Sequence, residues 1–188
     1  GSSCMTSPSR RNGSLKVEVK TLLAFAVMTV HEFAHAWAGW KLGDPTAKYA
    51  GRLTLNPLAH LDPLGTILLI LAGFGWGKPV PYNPHNLKNP RRDALLIALA
   101  GPASNFLLAL FFSVFFKHFY VGAEGSFFFL LFYFLIYINL VLMIFNLLPI
   151  PPLDGSQILI SLWKKPSYHL QLWFANGPKI LFFILILE

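Results

Sequence analysis

The chain has 188 residues, of which 55% are hydrophobic and only 12% are charged, and it contains 18 Phe. Soluble domains usually carry about a quarter charged residues, so this composition disfavours a soluble domain and indicates a membrane protein. The net charge of +7 comes from Lys and Arg that are spread over loops, not clustered with interleaved aromatic residues. This pattern disfavours a nucleic-acid-binding surface. The single Cys4 excludes an intrachain disulfide.

The length allows one compact domain, which we place at residues 21–188. Residues 1–20 are polar, basic and rich in Ser, and are predicted to be a tail. The first four residues are expected to be a cloning remnant. Residues 180–187 are apolar, and the last helix is expected either to begin near Leu170 or to be truncated.

The predicted elements are mostly apolar helices. Residues 21–40 would form about 30 Å of helix, which is enough to span the hydrocarbon core. Residues 49–55, YAGRLTL, have strand character, and predict either a structural hairpin or an edge strand open to an extended peptide. Residues 61–76 are too short in their apolar part to span, so we expect a re-entrant or membrane-hugging segment. Residues 94–116 and 127–148 can span, which predicts an all-α polytopic membrane protein with a small β element.

Three ionisable residues lie inside the first apolar segment, in the pattern H-E-x-x-H: His31, Glu32 and His35. Residues i and i+4 share a helix face, so both imidazoles can reach one ion, and Zn²⁺ accepts imidazole nitrogen. Glu32 can act as general base toward an attacking water. A chance match is the alternative. It is disfavoured because a charged side chain at bilayer depth costs roughly 2.5–3.5 kcal/mol, which a metal partner would offset.

A catalytic zinc usually has three protein ligands, so a third is needed. Among the eight acidic residues, Asp154 in NLLPIPPLDG follows a long apolar segment and several prolines that break the helix. The prolines can turn its carboxylate into the bundle. The alternative is a solvated turn aspartate, since Asp-Gly is a common turn pair. Asp154 joins the histidines on one membrane side only if 61–76 does not cross.

The three segments HEFAH, AGPASN and NLLPIPPLDG, in this order, resemble the site-2 protease family of intramembrane zinc metalloproteases. GRLTLNPLAHLDPLG and KPVPYNP resemble the short prokaryotic-type branch of that family, which lacks a PDZ domain. The resemblance covers residues 21–165. The connector 41–93 is longer than the hairpin expected of more minimal relatives.

The resemblance implies an endopeptidase that cleaves a peptide bond in or near a transmembrane helix. It implies one zinc ion bound by His31, His35 and Asp154, with Glu32 as the base. Asn105 falls on the Asn of the Gly-Pro-x-x-Asn motif, where a role in holding substrate or the oxyanion is implied. Two further residues are candidate substrate contacts, Asn146 near the site end of its span and His60 in NPLAHLDP. For His60 the alternative is a loop histidine bonded to backbone.

The expected substrates are single-span membrane proteins or leftover signal peptides, cleaved in regulated intramembrane proteolysis. The resemblance implies a multi-pass protein of a prokaryotic inner membrane with its site toward the cytoplasmic face. Nine Lys and Arg fall on the predicted site side against five on the other, which favours the same orientation. The basic tail argues the other way. Two other functions are the alternatives. A metal-handling transporter would need ligands along a path through the bilayer, whereas the candidate ligands of this chain cluster at one end. A non-catalytic scaffold that binds membrane helices would not need Glu32. The oligomeric state is left open.

Overall fold

The computed structural model describes residues 8–72, 77–119, 126–163, 170, 172–177, 179 and 181. Its helices are α1 (Pro8–Lys41), α2 (Thr46–Tyr49), α3 (Pro63–Ala72), α4 (Pro90–Phe119), α5 (Phe127–Asn146) and α6 (Asp154–Leu162), with 3₁₀ turns at Pro57–Ala59 and Pro84–Asn86. Residues 172–177 are also helical. No strand occurs in the described ranges, so the predicted all-α fold is confirmed. Except for position 181, the apolar segment 180–187 lies outside the described residues.

Short polar side chains fix where the helices begin. Asp62 lies one residue before the proline that begins α3, and its Oδ1 accepts a hydrogen bond from Gly65 N at 2.9 Å. Ser126 Oγ accepts from Phe129 N at 3.3 Å and caps α5. At the start of α4 the carboxylate of Asp93 accepts from a backbone N–H of the preceding turn at 2.9 Å. Such bonds satisfy N–H groups that the first helical turn leaves without partners.

Helices α4 and α5 are long and apolar enough to cross a membrane, with mean hydropathies of 2.0 and 2.6. Their outer faces carry large exposed apolar side chains, for example Phe111 and Phe128, which are 60% and 62% exposed. A continuous apolar surface of this kind is unfavourable in water and suits contact with lipid. The chain therefore has the build of a membrane protein.

The first helix differs from the prediction in two ways. It begins at Pro8, so most of the tail predicted at residues 1–20 is helical. From residue 14 to residue 38 the sequence contains no Pro or Gly, and nothing interrupts the helix. By length and hydropathy, α4 and α5 are the membrane-capable helices in the described ranges, and the predicted span 21–40 is not one of them. Two His and one Glu lower the mean hydropathy of that segment.

Helices α1, α4 and α5 pack against one another, and α6 packs against α4. Phenylalanine pairs fix the antiparallel register of α4 and α5: the ring centroids of Phe112 and Phe132 lie 6.3 Å apart, and those of Phe116 and Phe129 lie 5.7 Å apart. At the start of α6, a Cβ on Gly155 would overlap the carbonyl at the end of α5. This glycine therefore lets the chain turn tightly from α5 into α6.

The predicted β element at residues 49–55 is wrong. Tyr49 ends α2, and residues 50–55 form turns, bends and irregular structure, with Gly51 at φ +69°, a conformation that favours glycine. Arg52 turns inward, is only 4% exposed, and donates to the carbonyls of Ala59 and Lys78. Burial of this polar side chain, with its bonds to two separate segments, takes the place of the strand.

A single antiparallel bridge, Leu61 with Gly77, is the β pairing found in the described part of the chain. Beside it, Lys78 N donates to His60 O at 2.8 Å. Together with Arg52, these contacts hold the two ends of the α3 excursion side by side. The excursion therefore leaves and re-enters the fold at one point.

Helix α3 has 10 residues. At about 1.5 Å per residue it is about 15 Å long, roughly half of the hydrocarbon core. Leu64, Ile67 and Leu71 are 58%, 52% and 78% exposed and share one face. A short helix with a bare apolar face agrees with the predicted membrane-hugging segment.

We predict that Lys48 and Lys88, on either side of this excursion, lie on the same side of the membrane. Both are exposed, as is Lys117 near the far end of α4. In a Cys4→Ser background, Lys48→Cys and Lys88→Cys should react with an impermeant maleimide from one side. Lys117→Cys should react from the other. Labelling of positions 48 and 88 from opposite sides would show that residues 61–76 cross.

Candidate metal centre

Three side chains that can bind a metal ion converge between α1 and α6. The Nε2 atoms of His31 and His35 lie 3.0 Å apart. Asp154 Oδ2 lies 3.1 Å from the first and 3.3 Å from the second. Both imidazoles are buried, and the candidate ligand atoms all lie within 4.8 Å of one another. The structure thus brings together the three residues that the sequence predicts as ligands.

The spacing suits one tetrahedral metal ion. With metal–ligand bonds of about 2.0–2.1 Å, adjacent ligands of a tetrahedron lie about 3.3 Å apart. The three observed separations of 3.0, 3.1 and 3.3 Å match one face of such a tetrahedron. Asp154 Oδ2 is buried and, despite the short distances, has no partner with hydrogen-bond geometry. A cation between the three atoms would satisfy this oxygen.

A backbone carbonyl orients the second histidine. His35 Nδ1 lies 2.7 Å from Ile97 O in α4. Since a carbonyl oxygen only accepts, Nδ1 carries the proton and donates it to Ile97, which leaves a lone pair on Nε2. This hydrogen bond is the usual second partner of a metal-binding histidine, because it fixes both the ring and the tautomer.

Gly101 of α4 makes room for both imidazoles. A Cβ at this position would overlap His35 Nε2 and lie 2.6 Å from His31 Nε2. Real Cβ atoms essentially never approach other atoms this closely. Any side chain here would displace the nitrogen atoms that face Asp154. The residue that precedes Pro102 in the AGPASN segment is therefore part of the shape of the site.

Local structure also places Asp154. It is the first residue of α6, and Ser156 Oγ donates to Leu153 O at 2.7 Å across this turn. The positive end of a helix dipole favours a carboxylate at such a position. Leu153 and Ser156 are buried, so the turn that carries the carboxylate is anchored in the bundle.

A cavity of about 470 Å³ adjoins the cluster. Glu32, the predicted base, and Asn146, the candidate substrate contact, both line it. Tyr82 and Gln157 also line it, and the sequence analysis missed both. The spacing could have indicated Gln157, because it lies three residues after Asp154 and so shares its helix face. Tyr82 lies in a proline-rich connector without periodicity. Burial raises the pKa of Tyr82, which keeps its phenol protonated.

Two predicted site residues do not reach this cavity. His60 is fully buried, with Nε2 2.8 Å from Thr54 O. This geometry matches the alternative of a loop histidine bonded to backbone, and the role of His60 as a substrate contact stays a prediction. Asn105 is also fully buried, one turn beyond Gly101, and is not among the lining residues. Its amide therefore does not face the cavity in this geometry, and its role toward the oxyanion stays a prediction.

A buried carboxylate holds the connector that forms one wall of the cavity. Asp44 is 1% exposed and accepts hydrogen bonds from Thr46 Oγ1 at 2.5 Å, Asn83 N at 2.6 Å and Asn86 Nδ2 at 2.7 Å. Burial alone would raise the pKa of Asp44, but these bonds outweigh it and keep the pKa below its ordinary value. The wall residues Pro79 to Tyr82 are thereby tied to the end of α1.

The model of peptidase family M50 matches residues 117–185. YwhC of Bacillus subtilis, named as a candidate zinc metalloprotease, is 49% identical over 140 residues, which are 71% of this chain and 64% of that protein. Rip2 of Mycolicibacterium smegmatis, named in the same way, is 33% identical over 133 residues, 68% of this chain and 51% of that protein. The chain thus spans between half and two thirds of these two relatives.

A third relative, MJ0611 of Methanocaldococcus jannaschii, also named as a candidate zinc metalloprotease, is 46% identical over 153 residues. The match covers 79% of this chain and 73% of that protein. No solved structure matches the chain. Identity at this level over most of a relative's length, together with the family match that includes Asp154, shows that the chain belongs to peptidase family M50, the site-2 protease family.

Proposed function

We propose that the chain is a zinc metalloprotease of the membrane, which hydrolyses a peptide bond in or near a transmembrane helix of its substrate. The observation that carries the proposal is the convergence of His31, His35 and Asp154 beside a cavity that Glu32 also lines. The names of the relatives point to the same metal and chemistry. We propose one zinc ion per chain, because the described residues contain one such cluster.

The donor set suits zinc, since two imidazole nitrogens and one carboxylate oxygen form a usual catalytic ligand set with one position left open. Zinc held there would supply a Lewis acid that acidifies a water molecule and polarises a carbonyl oxygen. The chain's part is to hold the three ligands and to exclude bulk water. The buried histidines and the tight approach at Gly101 do this.

Glu32 is assigned to proton transfer. It lines the cavity but is not part of the three-atom cluster. Successive residues on a helix point about 100° apart, so the Glu32 carboxylate, next to His31, is directed away from the ligand atoms and into the cavity. From there it can take a proton from the attacking water and return it to the leaving amine.

The substrate is proposed to be a membrane protein or a leftover signal peptide. The cavity lies within a bundle whose outer faces suit lipid, and Leu142, Phe145 and Asn146 of α5 bring it to one end of a membrane-capable helix. A substrate helix that arrives through the bilayer can therefore reach the cavity near that end. The described residues contain one cluster of candidate metal ligands, at one depth of the bundle, which disfavours a transporter with several sites along a path.

We propose a cytoplasmic site in a multi-pass protein of a prokaryotic inner membrane. In the described loops and helix ends on the site side, the acids Asp44 and Asp93 are buried, at 1% and 4% exposure, and Asp62 is half-buried. Six of the basic residues there are exposed, namely Lys41, Lys48, Lys78, Lys88, Arg91 and Arg92, whereas Arg52 is buried. The surface is therefore more basic than the composition of these loops suggests, which favours the cytoplasmic side.

Metal analysis tests the ligand set. The wild-type protein should hold one zinc per chain, and His35→Ala and Asp154→Ala should each lose most of it, because two ligands seldom retain a catalytic zinc. Atomic absorption on the purified proteins measures this. Full occupancy in Asp154→Ala would remove that residue from the ligand set.

Gly101→Ala should weaken zinc binding by more than about tenfold without touching a ligand, because the added methyl group displaces both imidazoles. Gly39→Ala is the matched control, since its Cβ would meet only Ile97 Cδ1 at an ordinary 3.7 Å in the same interface. Competition with a fluorescent chelator measures both affinities. Equal affinities for the two variants would contradict the role of Gly101.

Glu32→Gln keeps the side-chain size and loses the basicity. Turnover of a single-span substrate should fall by about 10²–10⁴-fold, the range typical of general-base loss. Zinc content should be unchanged. Gel assays with and without chelator, alongside metal analysis, separate the two effects. A variant that cleaves at the wild-type rate would exclude Glu32 as the base, and one that loses zinc would make it a ligand.

A further inference from the structure

Three buried polar groups at the centre of the bundle have no hydrogen-bond partner within the described ranges. They are Nδ1 of His31, both amide atoms of Asn105, and Oδ1 of Asn139. Each of these residues is 4% exposed or less. Buried polar atoms are nearly always paired in folded proteins, so three unpaired groups in one apolar bundle call for a common explanation.

The register of α4 and α5 places the two asparagines opposite each other. The rings of Phe112 and Phe132 are in contact, with centroids 6.3 Å apart. Asn105 lies seven residues before Phe112, and Asn139 lies seven residues after Phe132. Seven residues are about two helical turns, so both asparagines return to the contacting faces of the antiparallel pair. Asn139 is also the one residue of α5 that is buried.

The packing of α1 on α4 indicates the level of the bundle at which Asn105 lies relative to His31. His35 contacts Ile97 and Gly101, whereas His31, one turn earlier on α1, contacts Gly101. The two helices are thus antiparallel, and the position that follows Gly101 by one turn on the same face is Asn105. The far nitrogen of the His31 ring and the Asn105 amide therefore belong to the same level of the bundle.

The unpaired atoms are complementary in chemistry. With its Nε2 lone pair directed at the metal position, His31 carries its proton on Nδ1 and needs an acceptor. Asn105 offers an acceptor, Oδ1, and a donor, Nδ2. Asn139 offers the acceptor Oδ1, while its Nδ2 already donates to Leu135 O at 2.7 Å. Donors and acceptors therefore balance along the series.

We propose that Asn105 and Asn139 are positioning residues, which form a hydrogen-bond relay that holds His31. His31 Nδ1–H donates to Asn105 Oδ1, and Asn105 Nδ2–H donates to Asn139 Oδ1. Rotation of the Asn105 amide or one buried water completes the series. The relay gives His31 what the Ile97 carbonyl gives His35, a fixed tautomer and ring orientation. The inference rests on the proposed zinc site but does not depend on the proteolytic step.

A double-mutant cycle tests the relay, with zinc affinity as the readout. Asn105→Leu should weaken zinc binding by about 10–100-fold, the usual effect of removing a group that orients a metal ligand. Asn139→Leu should weaken it less. The double variant should bind zinc no more weakly than Asn105→Leu, because the second residue acts through the first. Asn139→Asp, protonated in this buried position, keeps an acceptor oxygen and should restore affinity.

Thr29→Val is the matched control. Thr29 is 4% exposed on α1, but its hydroxyl is already bonded to Phe25 O within its own helix at 2.7 Å. Loss of this buried polar group should leave zinc affinity unchanged. An equal loss of affinity in Thr29→Val would show a general effect of bundle packing and would overturn the relay.

Unchanged zinc affinity in Asn105→Leu would also overturn the proposal, and additive effects in the double variant would remove Asn139 from it. If a leucine variant fails to fold, ¹⁵N-histidine spectra of the zinc-loaded wild-type protein decide: the relay requires a slowly exchanging proton on His31 Nδ1. A fast-exchanging or absent proton contradicts it. Zinc binding without cleavage of any substrate would sink the proposed function and leave the relay standing.

Discussion

The structure depends on how closely α1 and α4 approach each other at Gly101. There the two imidazoles occupy space that a side chain on α4 would otherwise fill. This contact lets Ile97 hold one ring, and it brings both rings against the start of α6, which packs on the same helix. Three sequence-distant segments thus reach one point because a single position lacks a side chain.

Much of this arrangement can be predicted from the sequence. Long apolar runs give α4 and α5, because hydropathy and length decide whether a helix suits a bilayer. The i, i+4 spacing of His31 and His35 gives a shared face without any tertiary information. Asp154 could be chosen among eight acids, since prolines end the preceding helix and point to a turn inside the bundle. These inferences rest on local chemistry and on the cost of charge in lipid.

The rest depends on tertiary contacts that no local pattern encodes. Residues 49–55 have the composition of a strand, but Arg52 finds two carbonyls and folds the segment into turns. His60 is a candidate substrate contact by sequence, but its full burial and its contact with Thr54 O arise from tertiary packing. Asn105 occupies a motif position. Whether its side chain faces the cavity or the neighbouring helix depends on the rotation of α4 about its axis, which the spacing of residues in the sequence does not determine.

The contacts of Arg52 have a consequence for how the chain can vary. Because this side chain and the Leu61–Gly77 bridge join the two ends of the α3 excursion, the intervening residues form a loop that is closed at its base. The entropic cost of a closed loop grows only slowly with its length. The segment between Leu61 and Gly77 can therefore be lengthened, shortened or exchanged, while the cavity wall that follows Gly77 stays in place. The excursion is a module that evolution or design can replace without rebuilding the metal centre.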